Sequence, residues 1–107
     1  MRVHQDSFEI QTSGHRHMHR LDAQVEAIIS KSGITTGVVH VFNVGSTGAV
    51  GAIEFEPGLE GDLPTVLDQL IPPRLDYGHE QAWHDGNGHS HLQATLLGQA
   101  YSAPVTG

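Results

Sequence analysis

One run constrains the fold more than any other: Gly37 to Val44, GVVHVFNV, is β-branched and nearly continuous. Such side chains fit a pleated surface, and an apolar run without alternation predicts a central strand covered on both faces. Gly45-Ser46-Thr47-Gly48 interrupts it with turn residues, and Ala49 to Phe55 resumes an extended pattern, so a hairpin is expected. In its second strand Val50, Ala52 and Glu54 share one face, and Gly51, Ile53 and Phe55 the other.

The flanking segments carry two helical stripes. Leu21, Val25, Ile28 and Ile29 recur at helical spacing, with Asp22 as N-cap and Gly33 as stop. Leu59, Leu63, Val66, Leu67 and Leu70 form the second stripe, and Pro64, tolerable only in a first turn, places that helix start near Asp62, with Pro72-Pro73 ending it. Three shorter strands complete the pattern: Ser7 to Thr12, which alternates apolar and polar, His91 to Leu97, and Tyr101 to Val105. Residues 74–90 lack apolar periodicity and read as a long polar loop, a length that in a small domain points to function or disorder. The order β-α-β-β-α-loop-β-β gives an α+β class, in one domain over residues 1–107.

Composition narrows the function. Twelve acidic against five basic side chains leave a formal charge of −7, which argues against nucleic acid or an anionic membrane surface as partner. The absence of cysteine excludes disulfides and thiolate chemistry. No apolar run is long enough to span a membrane, and the Met1-Arg2-Val3-His4 start has no signal-peptide character, so a cytoplasmic protein is expected.

Histidine is the unusual count: nine, more than Lys and Arg together. His79, His84, His89 and His91 lie in or beside the long loop, YGHEQAWHDGNGHSHL. On a strand, His89 and His91 leave the same face, and with a third imidazole from the loop they could hold zinc or a similar ion with one position open. Asp85, Glu80 or Glu54 could then orient a ligand or act as general acid or base. The competing reading is a solvated polar loop. His15, His17 and His19 alternate in GHRHMHR and could chelate a metal, but read better as a solvated connection. His40, mid-strand, reads as a core histidine or a contributor to the site. Ser46 and Thr47 could cradle a phosphate or simply make a turn.

These residues together resemble the YjbQ-like family: Val39-His40-Val41-Phe42, Ser46-Thr47, Glu54, Asp62-Leu63, Tyr77 with His79, and above all GNGHSHLQATLLG. The resemblance covers the chain from about residue 7 onward. It implies a two-layered β-sandwich with two flanking helices, a homotrimer, and a secondary thiamine-phosphate synthase activity that joins a pyrimidine diphosphate to a thiazole phosphate. Carried over, the site residues are His79 and His91, with Glu54 at the family glutamate. Gly45 stands where many members have a histidine before the Ser/Thr pair, and Ile53 at an asparagine-type position. Members usually continue past this C-terminus with further strands.

The expected site therefore has Glu54, His91 and Asp85 in catalysis, Ser46 and Thr47 on a phosphorylated small molecule, and His79, His84, His89 and His91 on a divalent metal of the zinc or magnesium class. Because basic side chains are scarce, diphosphate chemistry would depend on that metal for positive charge. Two other readings use the same ligands: a non-catalytic trimeric protein binding a metal or small anion, and a metal-dependent hydrolase.

Overall fold

The β-branched run does form a strand, β1 (Gly37–Phe42), but its partner is not the segment that follows it. In the computed structural model, which describes residues 1–107, β1 pairs with β2 (Ala100–Val105) in a two-stranded sheet. The pairing is antiparallel: the Asn43 N–H donates to the Gln99 carbonyl at 2.8 Å, and the His40 Nδ1 and Ser102 Oγ side chains meet at 2.7 Å. Residue numbers across the ladder thus change in opposite directions, one for one. The expected hairpin is absent. Residues 43–56 are irregular, with the Asn43 amide donating to the Gly48 carbonyl at 3.0 Å inside the Gly-Ser-Thr-Gly turn. Nor is β1 covered on both faces, since Val38 is 74% and Phe42 57% exposed.

Four helices accompany the sheet where two were expected: α1 (Asp22–Ser32), α2 (Pro57–Leu70), α3 (Gly78–Trp83) and α4 (Gly88–Leu97). The class is α+β. A second sheet layer is not among the elements. No helix is long and apolar enough to cross a membrane.

The chain forms two compact units. The first comprises Met1–His40 and Ser102–Gly107. Its helix α1 stops at Gly33, whose φ of 71° lies in the left-handed region that glycine enters without steric cost. The freed end is tied down by the N-terminal segment: the Arg2 guanidinium donates to the Ser32 carbonyl at 2.6 Å, and Lys31 Nζ lies 3.4 Å from Asp6. The Ser7 backbone N–H, and next Lys31, hold the Asp6 carboxyl below the usual carboxylate range. Ser7 to Thr12, expected as a strand, belongs to no sheet. An open cleft of about 270 Å³ in this unit is lined by Ile29, Ile34, Thr35 and Val105 among others, with no acidic, basic or imidazole side chain.

The second unit is Val41–Tyr101. Helix α2 begins at Pro57, ahead of the expected start, because the Glu56 carboxylate accepts from the Gly58 and Leu59 N–H groups and Pro57 needs no partner. Pro64 consequently lies inside the helix, and is buried. The expected strand His91–Leu97 is instead helical. Leu, Gln and Ala favour a helix, and the winding buries Gln93 and Ala94 while leaving Leu92 and Leu96 outside. Gln93 fixes this arrangement, its amide donating to Asp68 Oδ1 at 2.9 Å and to the Ile71 carbonyl at 2.8 Å. Besides Pro64, Leu67 and Ala94 are the only buried apolar side chains, so polar ties of this kind carry much of the unit's definition.

Gly33→Ala tests the α1 stop. A Cβ there has a left-handed backbone and meets the Arg2 guanidinium at 3.4 Å. A loss of about 1–2 kcal/mol in urea unfolding is expected, from the left-handed penalty alone.

Candidate metal centre

The polar loop of the sequence folds into a helix, a sharp reversal and a second helix start. Helix α3 carries His79 and Glu80 in its first turn. It ends at His84, a non-glycine residue with φ 58°, and Gly86 follows with φ 72°. Asp85 thus sits between two left-handed residues, and the reversal brings it back onto α3. Its Oδ1 lies 2.7 Å from His79 Nε2. Ligand atoms of His79, Glu80 and Asp85 all fall within 4.8 Å of one another.

Glu80 is the unusual member. It is 5% exposed, one of the few buried charged groups in the chain. One carboxylate oxygen accepts the Gly88 backbone N–H at 2.7 Å, which joins the start of α4 to α3. The other, Oε2, is buried with no hydrogen-bond partner. A buried carboxylate oxygen without compensation is costly, and a cation is a common remedy. The glycine at position 88 is required by this arrangement, since a Cβ there would lie 2.6 Å from Glu80 Oε2 and 2.9 Å from Oε1.

Of the expected metal ligands, His79 joins this cluster and the others do not. His91, on α4, places its ring 4.5 Å from the His79 ring at 53°, a packing contact that steadies the imidazole. His89 is buried on the same helix. The expectation that His89 and His91 share a face rested on a strand, whereas on a helix residues two apart point about 200° away from each other. His84 is exposed and serves as the α3 C-cap, donating its N–H to the Glu80 carbonyl at 2.9 Å. Asp85, expected in catalysis, enters as a candidate ligand. Glu54, Ser46 and Thr47 are exposed in the irregular segment and outside the cluster. His40 faces Ser102 on the sheet, not the loop. Glu80 was legible as one of three carboxylates near the loop. Its burial was not, because that depends on the α3–α4 contact.

The donor set is one imidazole nitrogen and two carboxylates. Oxygen ligands alone would suit magnesium or calcium, while the imidazole shifts preference toward zinc, manganese or iron(II). Three protein ligands leave coordination positions for water or a ligand oxygen.

Comparisons with known proteins agree with the sequence resemblance. The profile of a family described as UPF0047 protein YjbQ-like matches residues 6–107. A UPF0047 protein of Methanothermobacter thermautotrophicus is 32% identical over 105 residues, 98% of this chain and 72% of its own length. The crystal structure of a YjbQ-like protein of unknown function from Sulfolobus solfataricus P2 superposes with a TM-score of 0.84 at 35% identity, covering 91% of this chain and 69% of its own. A hypothetical protein from Aeropyrum pernix K1 gives a TM-score of 0.75 at 31% identity, covering 81% and 63%. The thiamine-phosphate synthase activity expected from the resemblance is corrected here: these relatives are described as uncharacterised or of unknown function, and nothing in them points to that reaction.

His84→Gly checks the role assigned to the reversal. Removing a side chain from a left-handed residue should stabilise the protein by about 1 kcal/mol, read as a higher thermal midpoint. Gly88→Ala should act in the opposite sense, costing about 1–3 kcal/mol because Glu80 has to move.

Proposed function

The chain belongs to the YjbQ-like UPF0047 family, and from that premise we propose that it is a metal-binding protein whose His79, Glu80 and Asp85 hold one divalent ion of the zinc or manganese class. The observation that carries this reading is the buried, unpartnered Glu80 Oε2, placed beside an imidazole and a second carboxylate. An exposed cluster of acids would carry no such argument, since water satisfies it.

A bound divalent ion supplies positive charge and open positions for an oxygen of water or of a small anion. The chain's own residues do the rest. The Gly88 N–H fixes Glu80, the His84–Gly86 reversal delivers Asp85, and the His91 ring steadies His79. A small phosphorylated molecule remains the ligand class of this proposal, taken through its oxyanion. A homotrimer with a second sheet layer is the assembly that the family resemblance implies for it, and the cytoplasm is the setting proposed from the sequence.

Calorimetric titration of metal-stripped protein with zinc or manganese tests the site. The protein should be purified without a metal-affinity step, because His15, His17 and His19 could retain an ion of their own. One ion per chain is expected. Glu80→Gln and Asp85→Asn should each weaken binding by at least about 10-fold, the lower end even for an outer partner, and His91→Ala by about 10-fold or less. Unaltered stoichiometric binding by Glu80→Gln would sink the assignment.

The same substitution carries a sign. Without metal, Glu80→Gln removes an uncompensated buried charge, so its thermal midpoint in chelator should equal or exceed that of the parent protein. With saturating zinc the order should reverse.

A further inference from the structure

The run GHRHMHR reads in the sequence as a solvated connection, yet the structure gives it a defined shape. The His17 N–H donates to the Gly14 carbonyl at 3.2 Å, closing a turn in which Gly14 has φ 120° and Arg16, a non-glycine residue, has φ 74°. A second tie crosses the same turn, since the Ser13 N–H donates to His17 Nδ1 at 2.7 Å. His17 is thus held twice, once by its backbone and once by its ring. Beyond it Met18 is half-buried while His17 and His19 are exposed, the disposition of alternate residues in an extended stretch. Both imidazoles face solvent, their centroids 5.7 Å apart and their planes at 68°.

That spacing suits one shared ion. A metal about 2.0–2.1 Å from an imidazole nitrogen stands roughly 3.2 Å from the ring centroid, so two rings sharing it have centroids within roughly 6.4 Å of each other. His15 is set apart from the pair: the left-handed backbone at Arg16 breaks the alternation between residues 15 and 17, and His15 has a contact of its own. The flanking cations are engaged, Arg20 with Asp22 at 3.0 Å and Arg16 with another partner. The pair offers nitrogen alone, unlike the carboxylate-rich cluster of His79, Glu80 and Asp85. Imidazole donors favour the later divalent metals, and copper(II) heads the order of affinity among them.

We propose that His17 and His19 form a second metal site, a surface chelate for one copper(II) ion with the remaining positions left to water. The Ser13–His17 hydrogen bond sets a condition on it. An ion at His17 Nδ1 displaces the Ser13 N–H. An ion at Nε2 requires the ring proton to sit on Nδ1, which ends the same hydrogen bond. Either way the ligand is a neutral imidazole, and occupancy of the site releases the Ser13 amide. All of these residues lie within the first compact unit, and none belongs to the His79 cluster, so the two metal assignments stand or fall separately.

The test uses the full chain, purified without a metal-affinity step and stripped with chelator, in nitrogen-15 NMR titrations with copper(II) chloride. Paramagnetic copper should erase the amide signals around His17 and His19, while signals around His79 report the other centre. The same loss is expected in Asp85→Asn, where that centre is weakened. Zinc, which is diamagnetic, should instead shift the Ser13 amide signal of Asp85→Asn as its hydrogen bond to His17 ends. Affinity is read by competition with a coloured copper indicator, again in the Asp85→Asn chain. Linking two donors gains roughly 10²–10⁴ in affinity, so His17→Asn and His19→Asn should each weaken copper binding at least about 10-fold. The asparagine at 17 keeps an acceptor for the Ser13 N–H, which separates loss of a ligand from loss of the turn. His15→Asn should weaken binding by less than about 10-fold, since that ring stands outside the pair. Copper signals that spare residues 17 and 19 overturn the proposal, as does a Ser13 amide unmoved by zinc. So does a smaller loss in either pair variant, or an equal loss in His15→Asn, the mark of an unstructured histidine tract.

Discussion

The hydrogen bond from the Gly88 N–H to the Glu80 carboxylate organises the second unit. It satisfies the first donor of α4 while placing a carboxylate where water does not reach. Everything proposed for the metal centre depends on that placement. Were Glu80 exposed, its second oxygen would be solvated, and the cluster with His79 and Asp85 would be an ordinary polar patch. Burial turns it into a site with an electrostatic debt. The glycine at 88 is the condition for that burial, because no side chain fits between the helix start and the carboxylate.

How legible was this in the sequence? The stretch itself was, since a polar loop rich in histidine and flanked by apolar periodicity stood out. The ligand set was only partly so. Counting imidazoles favoured His79, His84, His89 and His91, whereas the structure gathers His79 with two carboxylates, Glu80 and Asp85. The difference arises because HLQATLL, expected as a strand, is a helix. Its alternation of Leu92, Ala94 and Leu96 fits period two, but Leu, Gln and Ala prefer a helix, and Gln93 gains two hydrogen bonds only in that winding. Once the element is a helix, His89 and His91 part company. The reversal at His84 was hidden for another reason: left-handed backbone at a histidine is uncommon and has no clear sequence mark.

The sheet shows the complementary case. Gly37–Phe42 and the last strand were legible from β-branched content, and both formed close to their expected limits. Their pairing was not. Sequential proximity and turn chemistry favoured a hairpin across Gly45-Ser46-Thr47-Gly48, but β1 pairs with a strand nearly sixty residues on. Local signals identify strands, while partner choice is settled by contacts far apart in the chain. The segment Ser7–Thr12 is the clearest instance, having strand character and no ladder.

The scarcity of basic side chains gains meaning from the structure. Arg20 pairs with Asp22 at 3.0 Å and Lys31 lies 3.4 Å from Asp6, while Arg2 holds the Ser32 carbonyl. Arg74 pairs with Asp76 at 2.8 Å and lies over the Tyr77 ring, and Arg16 has a partner of its own. All five basic residues are therefore engaged locally. An oxyanion approaching a chain of net charge −7 meets no Lys or Arg side chain that is not already engaged. On the proposed reading that charge is a divalent ion, and the buried oxygen of Glu80 is where it would be held. In the proposed site the acidity of the chain and the metal centre become one constraint: carboxylates that repel an anion are the groups that would recruit an ion able to bind it.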